Sequence, residues 1–175
     1  DAQECLDFTK AAFDISEQFD TPVLLRTETR IAHSDSIVQV GERKESKIVP
    51  GLDPKDTPKY VMVPVNVRVR RKFVEERMKK LSEFADTWKY NVMEINDPSI
   101  GVITSGASYM YTKEVFPEYS FLKLGMVWPL PKNLIAEFYK KVKKVIIVEE
   151  LDPFLETEIK ALGFKVFHGK DLIPN

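Results

Sequence analysis

The amino-terminal part of the chain repeats its apolar positions with the period of a helix. Apolar residues recur at steps of three and four, which predicts an amphipathic helix over residues 1–19. Thr21-Pro22 ends this helix, because proline disfavours helical geometry in the residue before it. The continuous apolar run at residues 23–25 predicts a short strand that is buried on both faces, and a polar exit follows at residues 26–34.

The central part of the chain has a mixed pattern. Residues 37–40 predict a short strand, and residues 41–59 are polar and rich in proline, as is typical of a linker. Residues 60–69 favour β structure, but Pro64 restricts them to an extended or edge segment. From residue 73 to residue 88 the apolar positions return to helical spacing, which predicts an amphipathic helix.

From residue 100 onward, short apolar runs alternate with helical patterns. Strands are predicted at residues 100–104, 121–124, 145–148 and 165–167, and helices at residues 107–115, 133–142 and 153–162. We expect Asp152 to cap the last helix, Pro153 to occupy its first position and Gly163 to end it. Strands that alternate with helices at this spacing predict an α/β fold whose parallel sheet is covered on both faces.

Composition excludes several classes of protein. The 175 residues carry 26 basic and 27 acidic side chains, and this balance argues against nucleic acid as a partner. No apolar run approaches the roughly 18 residues of a membrane helix, so no membrane partner is expected. Cys5 is the only cysteine, which excludes an internal disulfide and fits a reducing, cytoplasmic location. Because the chain begins at Asp1, within a helix signal, we expect it to be a fragment of a longer protein.

Polar groups at predicted strand ends are the candidate interface residues. Glu149 and Glu150 follow a predicted strand, and groups at the carboxyl ends of parallel strands face the ligand crevice of an α/β sheet. The alternative is that one glutamate points to solvent and the other lies near the positive amino end of the next helix. Residues 101–108 have the glycine spacing of a phosphate-binding loop, but Ala107 stands in place of its lysine. A tight turn with free amides is favoured there.

No complete catalytic or metal site is predicted. His33 and His168 are the only histidines and have no metal-ligand spacing. Arg26 and Arg30, near His33, could meet an anionic substrate or a partner domain, or could be polar residues at a strand exit. The basic run at residues 68–72 is interpreted as a solvated or salt-bridged segment.

Five sequence segments resemble one family of enzymes. They are DTPVLLRTETRIAHS (20–34), FVEER (73–77), ITSG (103–106), LGMVWPLP (124–131) and VEELDPFLE (148–156). In this order they are similar to thiamine-dependent 2-oxoacid:ferredoxin oxidoreductases, in particular to the alpha (large) subunits of the indolepyruvate type. The last segment is the most specific. Glu28 stands where the resemblance leads us to expect threonine.

The resemblance implies a domain order and a parent activity. Residues 1–34 would be the last helix–strand unit of the pyrimidine-binding thiamine domain, residues 35–99 a bridge, and residues 100–175 a transketolase C-terminal-type domain. The parent would oxidatively decarboxylate indolepyruvate or another aryl-pyruvate to an acyl-CoA and reduce ferredoxin, together with a smaller beta subunit. It would use thiamine diphosphate, magnesium and 4Fe–4S clusters, none of which is expected to bind to this fragment.

The resemblance also suggests where this fragment would act. Arg30 and His33 are the candidates for the cofactor-domain junction, while the fragment itself would be an inactive scaffold that contacts the other domains of the subunit. The exposed helix that carries Phe8 and Phe13 could make the isolated fragment self-associate. Two alternatives remain open. One is an enzyme for pyruvate, 2-oxoglutarate or a branched-chain 2-oxoacid, and the other is a non-catalytic ligand-binding or assembly module.

Overall fold

The computed structural model describes residues 1–43 and 56–172. They divide into two compact units. The first, called the α/β unit, comprises Arg26–His33 and the chain from Leu81 onward, and the second, the helical unit, comprises Ala2–Leu25 and Ser34–Lys80. These units do not coincide with the ranges 1–34, 35–99 and 100–175, so that domain assignment stays a prediction.

The first helix of the helical unit is the one that the sequence predicts. Helix α1 spans Ala2–Phe19 and buries Ile15. The predicted buried strand at residues 23–25 is wrong, because these residues have no strand geometry and Leu24 is 92% exposed. An apolar run becomes a strand only where neighbouring strands accept its backbone hydrogen bonds, and the described part of this unit contains no strand.

The predicted strand at residues 37–40 is also wrong. The side chain of Gln3 accepts the Gln39 N–H at 2.7 Å and donates to the Gln39 carbonyl at 3.4 Å. Lys10 Nζ donates to the Val40 carbonyl at 2.6 Å. Side chains of α1 therefore satisfy backbone groups that a neighbouring strand would otherwise bind. Most of the predicted linker at residues 41–59, with Pro50 and Pro54, lies outside the described residues.

A long helix replaces the extended segment that was predicted at residues 60–69. Two short helices precede it. Helix α2 spans Thr29–Ala32, within the polar segment at residues 26–34, and helix α3 spans Thr57–Tyr60. Helix α4 then spans Pro64–Thr87. Its carboxyl end confirms the predicted helix, but it begins earlier, at Pro64. Proline suits the first position of a helix because the amide hydrogen that it lacks would have no partner there.

The α/β unit is built on a four-stranded sheet. Strands β1 (Val92–Glu94), β2 (Asp97–Ser105), β3 (Tyr119–Leu124) and β4 (Lys144–Val148) are arranged in the order β1-β3-β2-β4. Strand β2 is parallel to β3 and β4, and β1 is antiparallel to β3. The sheet confirms the predicted α/β class and fits a transketolase C-terminal-type domain. Residues 165–167 form no strand of their own, although Phe167 N–H donates to the Val145 carbonyl at 2.7 Å.

Helices cover both faces of this sheet, as predicted. They are α5 (Gly106–Val115), α6 (Lys132–Lys141) and α7 (Phe154–Ala161), followed by a 3₁₀ turn at Lys170–Leu172. Ile103 packs in the layer of Phe138 and Ile159, from α6 and α7. Its neighbour Val102 packs on the opposite face with Tyr109 of α5. Successive residues of β2 are buried on opposite faces, which explains the continuous apolar run in the sequence.

Candidate interface site at the carboxyl ends of the strands

Glu149 caps the helix that follows β4. Its Oε2 accepts the Leu155 N–H at 2.7 Å, and its Oε1 accepts the Glu156 N–H at 3.0 Å. The predicted capping role of Asp152 is therefore wrong, since α7 begins at Phe154 and it is Glu149 that accepts its first free amides. The chain turns at Leu151, where φ is 58°, and this turn follows the glutamates directly. A carboxylate at this place is also stabilised by the positive amino end of the helix.

Glu150 has a different neighbour, the side chain of Glu28. Burial raises the pKa of Glu150, the negative charge of Glu28 raises it further, and Arg26 and Arg30 lower it in part. The adjacent glutamates thus do not form one acid–base pair. Glu149 binds backbone amides, whereas Glu150 lies near the charged side chains of the segment Arg26–His33.

Glu28 also binds the amino terminus of α5. Its Oε1 accepts the Ala107 N–H at 3.1 Å, while Ser105 at the N-cap position makes no capping hydrogen bond with its side chain. Gly106 has a φ of 58°, and a Cβ atom there would lie 2.6 Å from Glu28 Oε1. Glycine is needed here both for the left-handed backbone and for the close approach of the carboxylate. The anion at this turn is thus a side chain of the same protein.

Arg30 joins the same cluster, and His33 does not. Arg30 Nη1 donates to the Tyr111 hydroxyl at 3.2 Å, and its guanidinium carbon lies 5.8 Å from the Tyr111 ring centroid. His33 is exposed at the end of α2, where its backbone N–H donates to the Thr29 carbonyl at 3.0 Å. Segment Arg26–His33 is therefore held on α5 at two places, through Glu28 and through Arg30.

A second polar cluster has no counterpart among the sequence predictions. The Tyr109 hydroxyl donates to Glu94 Oε1 at 2.6 Å, and Lys113 Nζ contacts Glu94 Oε2 at 2.5 Å and the Tyr109 oxygen at 2.8 Å. Burial favours a higher pKa for Glu94, but hydrogen bonds from Lys113 and Tyr109 outweigh it and lower the pKa. Burial and the Glu94 charge raise the pKa of Tyr109. No sequence pattern indicates this cluster, because Glu94 lies on the short strand β1.

The basic run on α4 is salt-bridged, as one of its two interpretations held. Arg71 pairs with Glu75, one turn further along the helix. Arg70 and Arg77 approach Asp20 Oδ2 at 3.8 and 3.5 Å within the helical unit.

Over residues 1–43 and 56–172, no three His, Cys, Asp or Glu side chains are grouped so that they could hold a metal ion. No helix in the same ranges is long and apolar enough to cross a bilayer.

Comparison with known proteins places the chain beside one group of enzymes. It is 34% identical to the indolepyruvate oxidoreductase subunit IorA of Archaeoglobus fulgidus, over 96% of this chain and 28% of the relative. It is 37% identical to IorA of Methanothermobacter marburgensis, over 96% of this chain and 29% of that protein. It is 36% identical to IorA of Pyrococcus horikoshii, over 98% of this chain and 29% of that protein.

Structural comparison adds a 2-oxoglutarate:ferredoxin oxidoreductase from Magnetococcus marinus. It is 21% identical, with a TM-score of 0.47, over 61% of this chain and 20% of the other. No protein-family model matches the chain. These IorA relatives confirm the resemblance found in the sequence. The chain spans less than a third of their length.

Proposed function

Because this chain is a relative of the IorA subunits of indolepyruvate oxidoreductases over nearly all of its length, we propose that it is part of such an enzyme. The parent protein would oxidatively decarboxylate indolepyruvate or another aryl-pyruvate to an acyl-CoA and reduce ferredoxin. The observation that supports this proposal is the identity of 34–37% with three IorA subunits over 96–98% of the chain. Within that enzyme, the chain would be a scaffold that contacts other domains of the same subunit and a smaller beta subunit.

The cofactors of such an enzyme would bind outside these residues. Thiamine diphosphate, when bound, supplies the carbanion chemistry of decarboxylation, and iron–sulfur clusters supply electron transfer. Clusters of this kind are held by sets of cysteine thiolates, whereas this chain has only Cys5. The residues at hand therefore do not fit a cluster, and we assign no chemical step to them.

Substrate profiling of the full-length protein with its smaller subunit tests the proposal. Coenzyme A and ferredoxin would be supplied, and reduction of ferredoxin would be followed by absorbance with indolepyruvate, pyruvate, 2-oxoglutarate and a branched-chain 2-oxoacid. We expect the highest kcat/KM with indolepyruvate. A higher value with one of the other acids would support the corresponding alternative. No turnover with any of them would support a non-catalytic module.

Replacing Arg30 is expected to slow turnover in the full-length protein. Arg30→Ala removes the guanidinium bonded to Tyr111, and we expect kcat/KM to fall roughly tenfold, which corresponds to one hydrogen bond made by a charged group. Tyr111→Phe removes the same hydrogen bond but keeps the arginine. Comparing the two variants therefore distinguishes the effect of the hydrogen bond on kcat/KM from the effect of the positive charge. Arg71→Ala, on an exposed part of α4, is the control. Unchanged kinetics for Arg30→Ala would contradict a role for Arg30 at the junction.

One exposed face of α4 is the proposed contact with other parts of the subunit. Val65, Val69 and Phe73 are exposed, and their spacing of four residues places them on one side of the helix. The cations Arg68 and Lys72 are exposed beside them. Contiguous apolar surface of this kind marks protein interfaces. The chain spans only 28–29% of the IorA relatives, so we place the covering surface in the remainder of the same polypeptide.

Photocrosslinking of the full-length protein tests this contact. A photoreactive phenylalanine analogue at position 73 is expected to crosslink to residues of the same polypeptide outside these 175, as identified by mass spectrometry. The same analogue at Glu83, an exposed position of α4, serves as the control for non-specific crosslinking. Crosslinks between two copies, for which the 72% exposed Phe13 is a further candidate, would support a homo-oligomer instead. Absence of crosslinks would contradict a contact at this face.

A further inference from the structure

Three cationic side chains of the helical unit converge on one carboxylate, that of Asp20. Lys59 Nζ, at α3, donates to Asp20 Oδ1 at 2.8 Å. Two arginines of α4 share the other oxygen, with Arg77 Nη2 at 3.5 Å and Arg70 Nη2 at 3.8 Å from Oδ2. These four residues are called the Asp20 cluster. Because three positive charges face one negative charge, the cluster has two positive charges that Asp20 does not balance.

The two arginines of this cluster are not saturated by the carboxylate that they share. A strong hydrogen bond between a guanidinium and a carboxylate has an N···O distance of about 2.7–2.9 Å, and both distances to Asp20 Oδ2 are longer. Within residues 1–43 and 56–172, Asp20 is the only acidic side chain paired with Lys59, Arg70 or Arg77. Their side chains are 28%, 23% and 18% exposed, so solvent reaches these partly buried cations. Their N–H donors are therefore accessible to an anion from solution.

Asp20 holds the cations together at a position that does not suit the preceding helix. It follows α1 directly, and its φ of 50° is in the left-handed region, where glycine or asparagine is common after a helix. A carboxylate at this end of a helix also meets the negative end of the helix dipole. The hydrogen bond from Lys59 and the charges of Arg77 and Arg70 lower the pKa of Asp20 and keep it ionised. Asp20 thus reduces the repulsion between cations that α3 and α4 bring together.

We propose that the Asp20 cluster binds a phosphate group, either free phosphate or the phosphate of a nucleotide. At pH 7 a phosphate monoester carries about 1.5–2 negative charges, which matches the unbalanced charge of the cluster. A single carboxylate ligand would leave one cation unbalanced. Arginine suits this role because its planar guanidinium binds two phosphate oxygens at once.

An aromatic ring beside the cluster favours the nucleotide as the source of the phosphate. Lys59 Nζ lies 5.2 Å from the ring centroid of Tyr60, and Tyr60 is 50% exposed. An exposed aromatic ring next to cations can stack on a nucleobase while the cations bind its phosphate. The proposed site lies within the helical unit, and it does not depend on which 2-oxoacid the parent enzyme uses.

Isothermal titration calorimetry of the 175-residue chain tests the site, with inorganic phosphate, AMP and adenosine as the probes. We expect phosphate and AMP to bind at one site, more weakly as the salt concentration rises, and adenosine to give no measurable binding. Tighter binding of AMP than of phosphate would support a nucleotide as the ligand, and equal binding would support free phosphate. Binding of adenosine as tight as that of AMP would overturn the proposal.

Substitutions of the arginines locate the binding site. Arg70→Ala and Arg77→Ala should each raise the Kd for AMP roughly tenfold, as expected for the loss of a hydrogen bond from a charged group. Arg77→Lys keeps the charge but not the planar donor pair, so its Kd should lie between those of Arg77→Ala and the unsubstituted chain. Arg71→Ala is the control, because it removes one cation from the same helix but one that pairs with Glu75. Its Kd should stay within about twofold.

Asp20→Asn separates phosphate binding from a purely structural role of the cluster. The amide has nearly the same size, and asparagine tolerates the positive φ. Removing the carboxylate charge removes its repulsion of the phosphate, so the Kd for AMP should fall roughly fivefold, whereas the chain itself loses ion pairs and should unfold at lower urea concentration. Weaker binding of AMP by Asp20→Asn, with circular dichroism unchanged, would overturn the proposal.

Three further outcomes would also overturn the phosphate site. The first is that neither phosphate nor AMP binds to the unsubstituted chain. The second is that Arg71→Ala weakens binding as much as Arg70→Ala and Arg77→Ala, which would indicate general attraction to a basic surface. The third is that a pentaglutamate peptide binds more tightly than AMP, which would identify an acidic protein segment as the partner instead.

Discussion

Asn91→Leu is expected to lower the free energy of unfolding by about 3–5 kcal/mol, because it leaves three buried or partly buried backbone groups without partners. The buried Asn91 side chain donates to the Ala85 carbonyl at 2.7 Å and accepts the N–H groups of Gly125 and Met126 at 2.8 and 3.0 Å. It thus ties the end of α4 to the loop after β3. Leucine has a similar volume but satisfies none of these three groups. Chemical denaturation with urea measures the loss.

Asn91→Asp is the matched control for this prediction. Aspartate keeps an acceptor for Gly125 and Met126 but, when ionised, it cannot donate to the Ala85 carbonyl. We expect an intermediate loss at neutral pH and a partial recovery in acid, where a protonated aspartate can donate. A loss for Asn91→Leu no larger than that for Asn91→Asp would show that these hydrogen bonds are not what stabilises the junction.

Gly101→Ala is expected to cost about 2–3 kcal/mol, through overpacking of the sheet against α6. Gly101 lies in β2, and a Cβ atom there would be 2.7 Å from Val142 Cγ2 and 2.8 Å from two ring atoms of Phe138. Phe138 is fully buried, so its ring has little room to move away. The free energy of unfolding, again from urea denaturation, is the measurement.

A double-mutant cycle with Phe138→Leu identifies the contact responsible for that cost. Leucine has no ring atoms at the positions that the new Cβ would meet, so the double variant should lose less stability than the sum of the two single variants. Strict additivity would contradict a direct contact between positions 101 and 138. In that case the loss of stability in Gly101→Ala would come from the contact with Val142 or from a shift of the backbone.

The strands and helices of the sheet from residue 100 onward were predictable, because the spacing of apolar residues along the chain reflects which faces are buried. Strand β2 is covered on both faces, and a strand in that position must be apolar at every residue. Helices α5, α6 and α7 each have one buried side, so their apolar positions recur with helical spacing. Strand β1 has three residues, too few to give a period, and it was not predicted.

The helical unit was harder to predict, because apolar runs there are exposed or helical. Residues 23–25 and 37–40 have the composition of strands, but the described part of their unit contains no strand beside which they could pair. Val65, Val67 and Val69 favour β structure locally, but Pro64 starts a helix that includes them. Strand propensity mostly reflects the neighbours that a strand finds in the folded protein, and those neighbours are not a local property.

Sequence patterns were enough to predict the α/β class, the covered parallel strands and the resemblance to the oxidoreductase family. They also pointed to the two glutamates after β4 as candidate interface residues. The contacts that these glutamates make follow only from the folded chain. It places Glu28 at the amino terminus of α5, and it makes Glu149 rather than Asp152 the cap of α7. The two kinds of information differ in how far apart along the chain the interacting residues lie. Which side chains are buried is set by periodicity over a few residues, whereas the partner of a polar group is set by how distant segments meet.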